Sequence, residues 1–165
     1  MVLVSIIMPT FNRASLIIES LSSIAAQTFI NWECLIIDDH STDDTFQVTE
    51  NFILNDTRFK LFKRPKHKKK GANACRNYGL EMARGEFVHW FDSDDIAHPK
   101  YLEISYNLIN NSEYDFCRFS RSVFWGEFQY KFKKISEEFK IIKVGSTHIE
   151  AMLKNELVFN TCNVL

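Results

Sequence analysis

Three carboxylates directly after an apolar run are the residues of this sequence best suited to chemistry. The stretch "FVHWFDSDD" ends with Asp92, Asp94 and Asp95, all within four residues. Carboxylates this close repel one another unless a cation lies among them or some of them hold protons. Their oxygens suit a hard divalent cation, so the cluster predicts a Mg²⁺ or Mn²⁺ site. The structural alternative, a turn with acids ahead of the next helix, explains three acids after a buried strand poorly.

A second acid pair, Asp38 and Asp39, follows the apolar run "WECLII". Asp39 is a candidate acceptor for a ring N–H or a hydroxyl of a ligand, whereas a structural role is expected for Asp38. The alternative is that both acids cap the following helix together with Ser41 or Thr42, which are natural N-cap residues.

Two further segments follow strand-like runs and suit a flat, anionic ligand. Pro9 and Phe11, in "PTFN", can flank a flat ring. The lysines of the basic loop, Lys63–Gly71 or "KRPKHKKKG", and the start of the next helix favour phosphate oxygens. A solvated surface loop is the default interpretation. Attraction to an anionic lipid surface or a lipid-linked acceptor is a third one.

The elements that must position these segments alternate between strand and helix. This alternation predicts an α/β fold with a parallel sheet. Because ligands of such a sheet bind outside the carboxyl ends of its strands, all four segments should meet on one edge. Ring, hydroxyl, phosphate and metal sites together fit a nucleoside diphosphate. The predicted strands are "LVSIIM", "WECLIIDD", "RFKLFK" and "EFVHWF". The predicted helices are residues 14–25, "HSTDDTFQVTENFI", "NACRNYGLEMA" and a helix starting at Pro99. The third of these helices has Cys75, Tyr78 and Met82 on one face.

The pattern changes after Asn111. "YDFCRFS" is strand-like and "EFQYKFK" alternates with period two, which predicts a small antiparallel addition to the sheet, followed by a short helix in "THIEAMLKN". Residues 1–165 are expected to form a single domain, with a nucleotide-binding part over 1–111 and the start of an acceptor part over 112–165. The apolar ending "LVFNTCNVL" has no closing signal, so a truncated domain is expected.

Composition limits the classes of function. The 165 residues carry a formal net charge of −1, which gives no reason to expect a nucleic-acid partner. The four cysteines are far apart and no stretch is long enough to span a bilayer, so a cytoplasmic protein is expected. Peripheral contact with the inner face of a membrane and homo-oligomer formation stay open. Cys75 is expected to be an inert thiol and His89 a hydrogen-bonded core residue.

Four motifs also resemble a known family. "VSIIMPTFNR", "QTFINWECLIIDDHSTDDT", "GANACRNYGLEMARGEF" and "FDSDD" are similar, in order and spacing, to the nucleotide-binding half of family 2 glycosyltransferases. The resemblance covers roughly residues 3–110. It implies a GT-A (Rossmann-like) fold, a mainly parallel sheet flanked by helices with the antiparallel addition after the D-x-D motif. It also implies inverting, metal-assisted transfer of a sugar from a nucleotide-diphosphate sugar to an acceptor hydroxyl.

The resemblance assigns roles to individual residues. The segment Pro9–Phe11 and Asp39 would contact the base, and the acids of the D-x-D motif would hold the ribose and the metal. A UDP-sugar is favoured because Asp39 suits uracil among several bases, and the acceptor is a glycan, a lipid-linked glycan or a protein. The implied nucleotide-sugar-binding residues are Pro9, Thr10, Phe11, Asp39, Arg76, Asn77, Asp92, Ser93 and Asp94, and the metal set is Asp92, Asp94 and Asp95, with the direct ligand left open between Asp94 and Asp95.

No general base is identifiable. An inverting transferase usually needs one to deprotonate the acceptor hydroxyl, and the family carries an acid for this beyond the metal motif. No Asp occurs between Phe116 and Leu165, and no Glu there stands in a matching context. A non-catalytic nucleotide-binding module therefore stays open as the alternative. A phosphoacceptor domain is disfavoured, because its acid pair would follow the first strand and not the second.

Overall fold

A computed structural model describes residues 1–111, and a parallel sheet forms its centre. The four strands lie in the order β3-β2-β1-β4. Every pairing is parallel, as the strand–helix alternation predicted. The predicted antiparallel addition, last helix and acceptor part fall on residues 112–165, outside the described residues. The strands are β1 (Val4–Thr10), β2 (Trp32–Asp38), β3 (Phe59–Lys63) and β4 (Phe87–Trp90).

Four helices alternate with these strands. The first three strands lie side by side in chain order, with β1 at the centre of the sheet and β3 at one edge. The chain then crosses back, and β4 pairs with the other side of β1. The strand order thus reverses beside β1, which is where open α/β sheets place their ligands. Within residues 1–111, no helix reaches the length and apolarity that a membrane crossing requires. The helices are α1 (Ile17–Ala25), α2 (Thr45–Ile53), α3 (Ala72–Met82) and α4 (Tyr101–Asn110).

The two central strands are buried on both faces, which explains their unbroken apolar runs. In β2, Cys34 and Ile36 belong to the larger core with residues of α1 and α4, whereas Leu35 and Ile37 belong to a second core. The predicted apolar face of α3 is confirmed, because its three residues pack into this second core: Cys75, Tyr78 and Met82.

Two helix starts differ from the predictions. The predicted N-caps of α2, Ser41 and Thr42, are wrong, because α2 begins at Thr45. The Ser41 hydroxyl donates to Asp38 instead, and the Asp43 carboxylate accepts the Thr45 N–H at 3.0 Å.

Helix α4 also starts later than predicted. Its first residue is Tyr101, two positions after Pro99. The reason is a tertiary bond, since the Pro99 carbonyl accepts the N–H of Thr28 at 2.9 Å and so does not join the helix.

Candidate functional site

The four predicted segments leave the sheet at the same edge. Thr10 lies beside Asp38, and Asp38 lies beside Lys63, so β1, β2 and β3 end in register. The fourth strand runs in the same direction and ends three residues earlier, since Trp90 lies beside Ile7 and the Phe91 N–H donates to the Ile7 carbonyl at 3.1 Å. The predicted convergence of the loops on one edge is therefore present in the structure.

The loops after β1 and β2 are bonded to each other. The Asn12 N–H donates to the Ser41 hydroxyl at 3.0 Å, and the Asn12 side-chain oxygen accepts the Thr42 N–H at 2.8 Å. Asn12 has a φ of 50°, in the left-handed region that Asn tolerates better than most residues. These bonds fix the backbone next to Phe11, whose ring is 37% exposed and free to contact a ligand.

The Asp38–Asp39 pair divides into two roles. Asp38 accepts the backbone N–H of Ser41 at 3.0 Å and is buried, so it has the structural role that was expected. Asp39 is also buried, and both of its carboxylate oxygens accept hydrogen bonds. One oxygen accepts from Arg64 Nε, and the other accepts the Gly71 N–H at 2.8 Å. Each oxygen keeps a lone pair, so contact between Asp39 and a base stays a prediction.

The basic loop borders an open cleft of about 640 Å³. The interpretation of the loop as solvated is wrong for Arg64, which is only 6% exposed. Gly71 precedes α3 with a φ of 127°, and no side chain caps that helix. The first N–H groups of α3 therefore have no acceptor within the helix and favour anions. The polar residues lining the cleft are Lys68, Lys69, Lys70, Asn73, Asn77 and Glu81.

The lysine side of the cleft continues to the predicted base-binding segment. Lys70 Nζ lies 4.4 Å from the centroid of the Phe11 ring. Pro9 and Thr10 are the buried last residues of β1, and the Thr10 carbonyl accepts the Asp39 N–H at 2.8 Å. Ring, lysine and buried acid thus belong to neighbouring segments of one edge.

Two of the clustered carboxylates, which would otherwise repel one another, lie next to arginine side chains. Arg76 Nη2 donates to the Asp92 carboxylate at 2.7 Å, and Arg13 Nε lies 3.4 Å from Asp94. The Asp95 N–H donates to the Asp92 carbonyl at 3.1 Å, which closes a turn around the buried Ser93. Part of the repulsion among these acids is therefore offset by cations from α3 and from the loop after β1.

A complete metal cage is not preformed here. In the described part of the chain, no three His, Cys, Asp or Glu side chains are grouped as ligands. The predicted set Asp92, Asp94 and Asp95 is thus not grouped as a ligand cluster in the structure, although carboxylates have the right chemistry for a divalent cation. Mg²⁺ is commonly held by one or two carboxylates plus substrate phosphates, and the donor set fits that mode.

Cys75 and His89 have the environments of core residues. Cys75 is fully buried beneath the site, and burial together with the nearby Asp39 charge raises the pKa of its thiol to about 11. A thiol with this pKa is a poor nucleophile near neutral pH, in keeping with the expected inert role. His89 is 1% exposed, with ring contacts to Phe91 and Tyr101 at centroid distances of 5.6 Å and 5.0 Å.

Sequence reasoning missed three residues that organise the site: Asn12, Arg13 and Arg64. Asn12 and Arg13 carried no signal beyond their place after a strand. Arg64 did carry one, since it is the one arginine in a loop of lysines. The planar guanidinium is better suited than an ammonium to a buried carboxylate.

Comparison with known proteins identifies the family. The model of the family "Glycosyl transferase family 2" matches residues 5–163. This chain belongs to glycosyl transferase family 2. One relative within the family is the UDP-Glc:alpha-D-GlcNAc-diphosphoundecaprenol beta-1,3-glucosyltransferase WfgD of Escherichia coli, 45% identical over 112 residues. That match covers 66% of this chain and 42% of WfgD, so the chain spans less than half of this relative.

Solved structures of the family confirm the expected GT-A fold. Staphylococcus aureus TarS 1-349 in complex with UDP-GlcNAc matches with a TM-score of 0.63 and 33% identity, over 69% of this chain and 33% of TarS. The mannosyltransferase PcManGT from Pyrobaculum calidifontis, in complex with GDP-Man and Mn²⁺, matches with a TM-score of 0.54 and 28% identity, over 61% of this chain and 30% of that one.

Proposed function

We propose that this chain is the donor-binding part of a glycosyltransferase that moves a sugar from a UDP-sugar to an acceptor hydroxyl, with inversion and with help from Mg²⁺ or Mn²⁺. The single observation that carries the proposal is that four segments with suitable side chains leave the sheet at the same edge. An exposed ring at Phe11, the acid Asp39, the basic loop and the Asp92–Asp95 carboxylates all leave the sheet there. Few ligands besides a nucleoside diphosphate need all four.

The choice of a UDP-sugar is supported by relatives. The name of WfgD specifies UDP-Glc, and the TarS crystals contain UDP-GlcNAc. The solved structure of PcManGT, at lower identity, is a complex with GDP-Man. Asp39 suits the N–H of uracil, which agrees with the more similar proteins.

The residues of the edge have separate tasks in the proposed reaction. Phe11 and Asp39 orient the base, while the lysines of the basic loop and the start of α3 receive the diphosphate. Asp92, Asp94 and Asp95 would hold the cation, whose bound charge would stabilise the departing diphosphate. The solved structure of PcManGT is a complex that includes Mn²⁺, which favours the same metal class here. No general base is assigned, since no described residue stands in a matching context.

For the acceptor, we favour a lipid-linked glycan diphosphate. WfgD acts on such a compound by its name, and a Campylobacter jejuni relative, 43% identical over 91 residues, is named for a diNAcBac-PP-undecaprenol glycan. An acceptor of this kind would place the protein at the inner face of a membrane, where exposed lysines favour anionic headgroups.

Calorimetry with UDP, with and without Mn²⁺, tests the donor site. We expect metal to strengthen UDP binding, and Asp94→Ala and Asp95→Ala to reduce that gain by at least about tenfold, since a charged ligand is lost. Asp56→Ala is the matched control, because Asp56 pairs with Arg58 at the opposite end of β3. A UDP affinity that changes neither on addition of metal nor in the Asp94→Ala and Asp95→Ala variants would refute the proposal.

An activity assay with a UDP-sugar distinguishes a transferase from the non-catalytic alternative. Transfer or slow hydrolysis of UDP-sugar by the full-length protein is the result expected of an enzyme. Metal-dependent binding without any turnover would instead favour a nucleotide-binding module.

A further inference from the structure

The first residue after β3 forms a buried ion pair with Asp39. The side chains of Arg64 and Asp39 are 7% and 6% exposed, the most buried ion pair in the described part of the chain. Arg64 Nε donates to one carboxylate oxygen of Asp39. Arg64 Nη1 turns the other way and donates to the Pro65 carbonyl at 3.0 Å and to the Lys68 carbonyl. One guanidinium thus links the sheet to the middle of the basic loop.

The other end of the loop is tied to the same carboxylate. The second oxygen of Asp39 accepts the Gly71 N–H at 2.8 Å, directly before α3. The backbone of Arg64 is held as well, since its N–H donates to the Asp38 carbonyl at 2.8 Å and its carbonyl contacts His40 Nε2 at 2.8 Å. Asp39 therefore bonds to the first and last parts of the loop.

Little else orders the loop. From Pro65 to Gly71 its residues are exposed or half-buried, and none belongs to either apolar core. Within residues 1–111, its one other ion pair joins Lys68 to Glu81, whose side chain is 56% exposed, and such pairs contribute little to stability. The nine residues of the loop include six cationic side chains, which would also repel one another: Lys63, Arg64, Lys66, Lys68, Lys69 and Lys70.

We infer that Arg64 is a positioning residue, and that Asp39 and Arg64 together hold the basic loop and the start of α3 in the conformation that receives the diphosphate. This inference rests on the proposed function. It gives Asp39 a second task besides contact with the base. Recognition of the base and of the diphosphate would then be coupled through one buried carboxylate.

The coupling makes an unusual prediction for a ligand without a base. Inorganic pyrophosphate with Mn²⁺ has no group for Asp39 to recognise, and Asp39→Asn removes a negative charge near the cleft. Charge alone would therefore strengthen pyrophosphate binding. If Asp39 holds the loop, the affinity should instead fall, by about tenfold if the loop is correctly placed a tenth of the time.

Arg64→Lys is the companion variant, because it keeps the charge and loses the planar fork. We expect it to weaken pyrophosphate binding to a similar degree. Arg58→Lys is the matched control, since Arg58 forms a fork with Asp56 at the opposite end of the same strand. The control should leave pyrophosphate affinity unchanged. Melting temperatures of all three variants show whether each one is folded.

Hydrogen exchange of the Gly71 amide decides the inference without any ligand. We expect this amide to exchange at least about tenfold faster in Arg64→Lys than in the unaltered protein or in Arg58→Lys. A Gly71 amide that exchanges at the same rate in Arg64→Lys and in the unaltered protein would overturn the inference. So would Asp39→Asn and Arg64→Lys variants that bind pyrophosphate at least as tightly as the unaltered protein. Failure of the unaltered protein to bind UDP would instead refute the proposed function, while the Gly71 measurement would still test the ion pair.

Discussion

At the scale of single residues, the site is a set of acids paired with arginines. Arg76 illustrates this, because it donates to Asp92 at 2.7 Å and to the Asn73 side chain at 3.0 Å. Its side chain is only 15% exposed. Arg76 thus joins the first turn of α3 to the carboxylates after β4, and a ligand seated between these elements would meet a prearranged charge pattern.

Replacing Arg76 tests that arrangement. Arg76→Lys keeps the charge but cannot reach Asn73 and Asp92 with one planar group. We expect UDP with Mn²⁺ to bind about tenfold more weakly, since hydrogen bonds to charged groups are worth about 1.5–3 kcal/mol. Isothermal calorimetry measures the change. Arg58→Lys serves again as the control, and equal affinities in the two variants would contradict the role of Arg76.

At the scale of elements, Gly79 is the point where α3 packs directly against the sheet. Gly79 is buried in the middle of α3, and a Cβ at that position would lie 2.5 Å from Ile7 Cγ2 and 3.5 Å from Ile37 Cγ1. Such close contact lets α3 bring its first turn to the edge where the four segments meet. The position of the first turn of α3, which borders the cleft, therefore depends on a glycine in the second half of the helix.

Gly79→Ala should lower the free energy of unfolding despite the better helix propensity of Ala. Overpacking of a buried contact costs about 1–3 kcal/mol, whereas Ala in place of Gly gains at most about 1 kcal/mol. Urea denaturation measures the net loss. Ile7→Ala removes the clashing methyl, so the double variant should be more stable than the sum of the two single changes predicts. Simple additivity would show that the contact is not the cause.

At the scale of the whole molecule, a buried carboxylate ties the sheet together at the edge opposite the site. Glu33 is 1% exposed and accepts hydrogen bonds from Ser5, Lys60 and Arg84, which belong to β1, β3 and the turn before β4. Burial alone would raise the pKa of Glu33, but these hydrogen bonds outweigh it and lower the pKa to about 2. The ionised carboxylate is therefore the form that the fold requires.

This lowered pKa predicts a pH-dependent contribution to stability. Because the pKa is lower in the folded state than its usual value of 4.5, the stabilisation is complete above that value and is lost as the pH falls through about 2. Glu33→Gln should reduce the free energy of unfolding by about 2 kcal/mol at neutral pH, and the difference should shrink on acidification. Denaturant titrations at several pH values measure it. A difference that does not change with pH would contradict the argument.

Much of the fold followed from local patterns. Apolar runs such as "LVSIIM" and the helical spacing of Cys75, Tyr78 and Met82 predicted the elements, because burial on both faces of a strand or on one face of a helix leaves a direct trace in the sequence. Helix starts were less predictable. Ser41, Thr42 and Pro99 have the chemistry of helix starts, but tertiary hydrogen bonds with other segments engage them instead.

The sequence by itself determined the parallel sheet and which segments lie at its carboxyl edge, since strand order along the chain and the parallel direction place every post-strand loop on the same side. Only the tertiary structure decided the partners of the charges: Arg64 with Asp39, Arg76 with Asp92 and Arg13 with Asp94. The members of these pairs are 25, 16 and 81 residues apart. Distances within such pairs depend on how strands and helices pack, and no local pattern of residues records that packing.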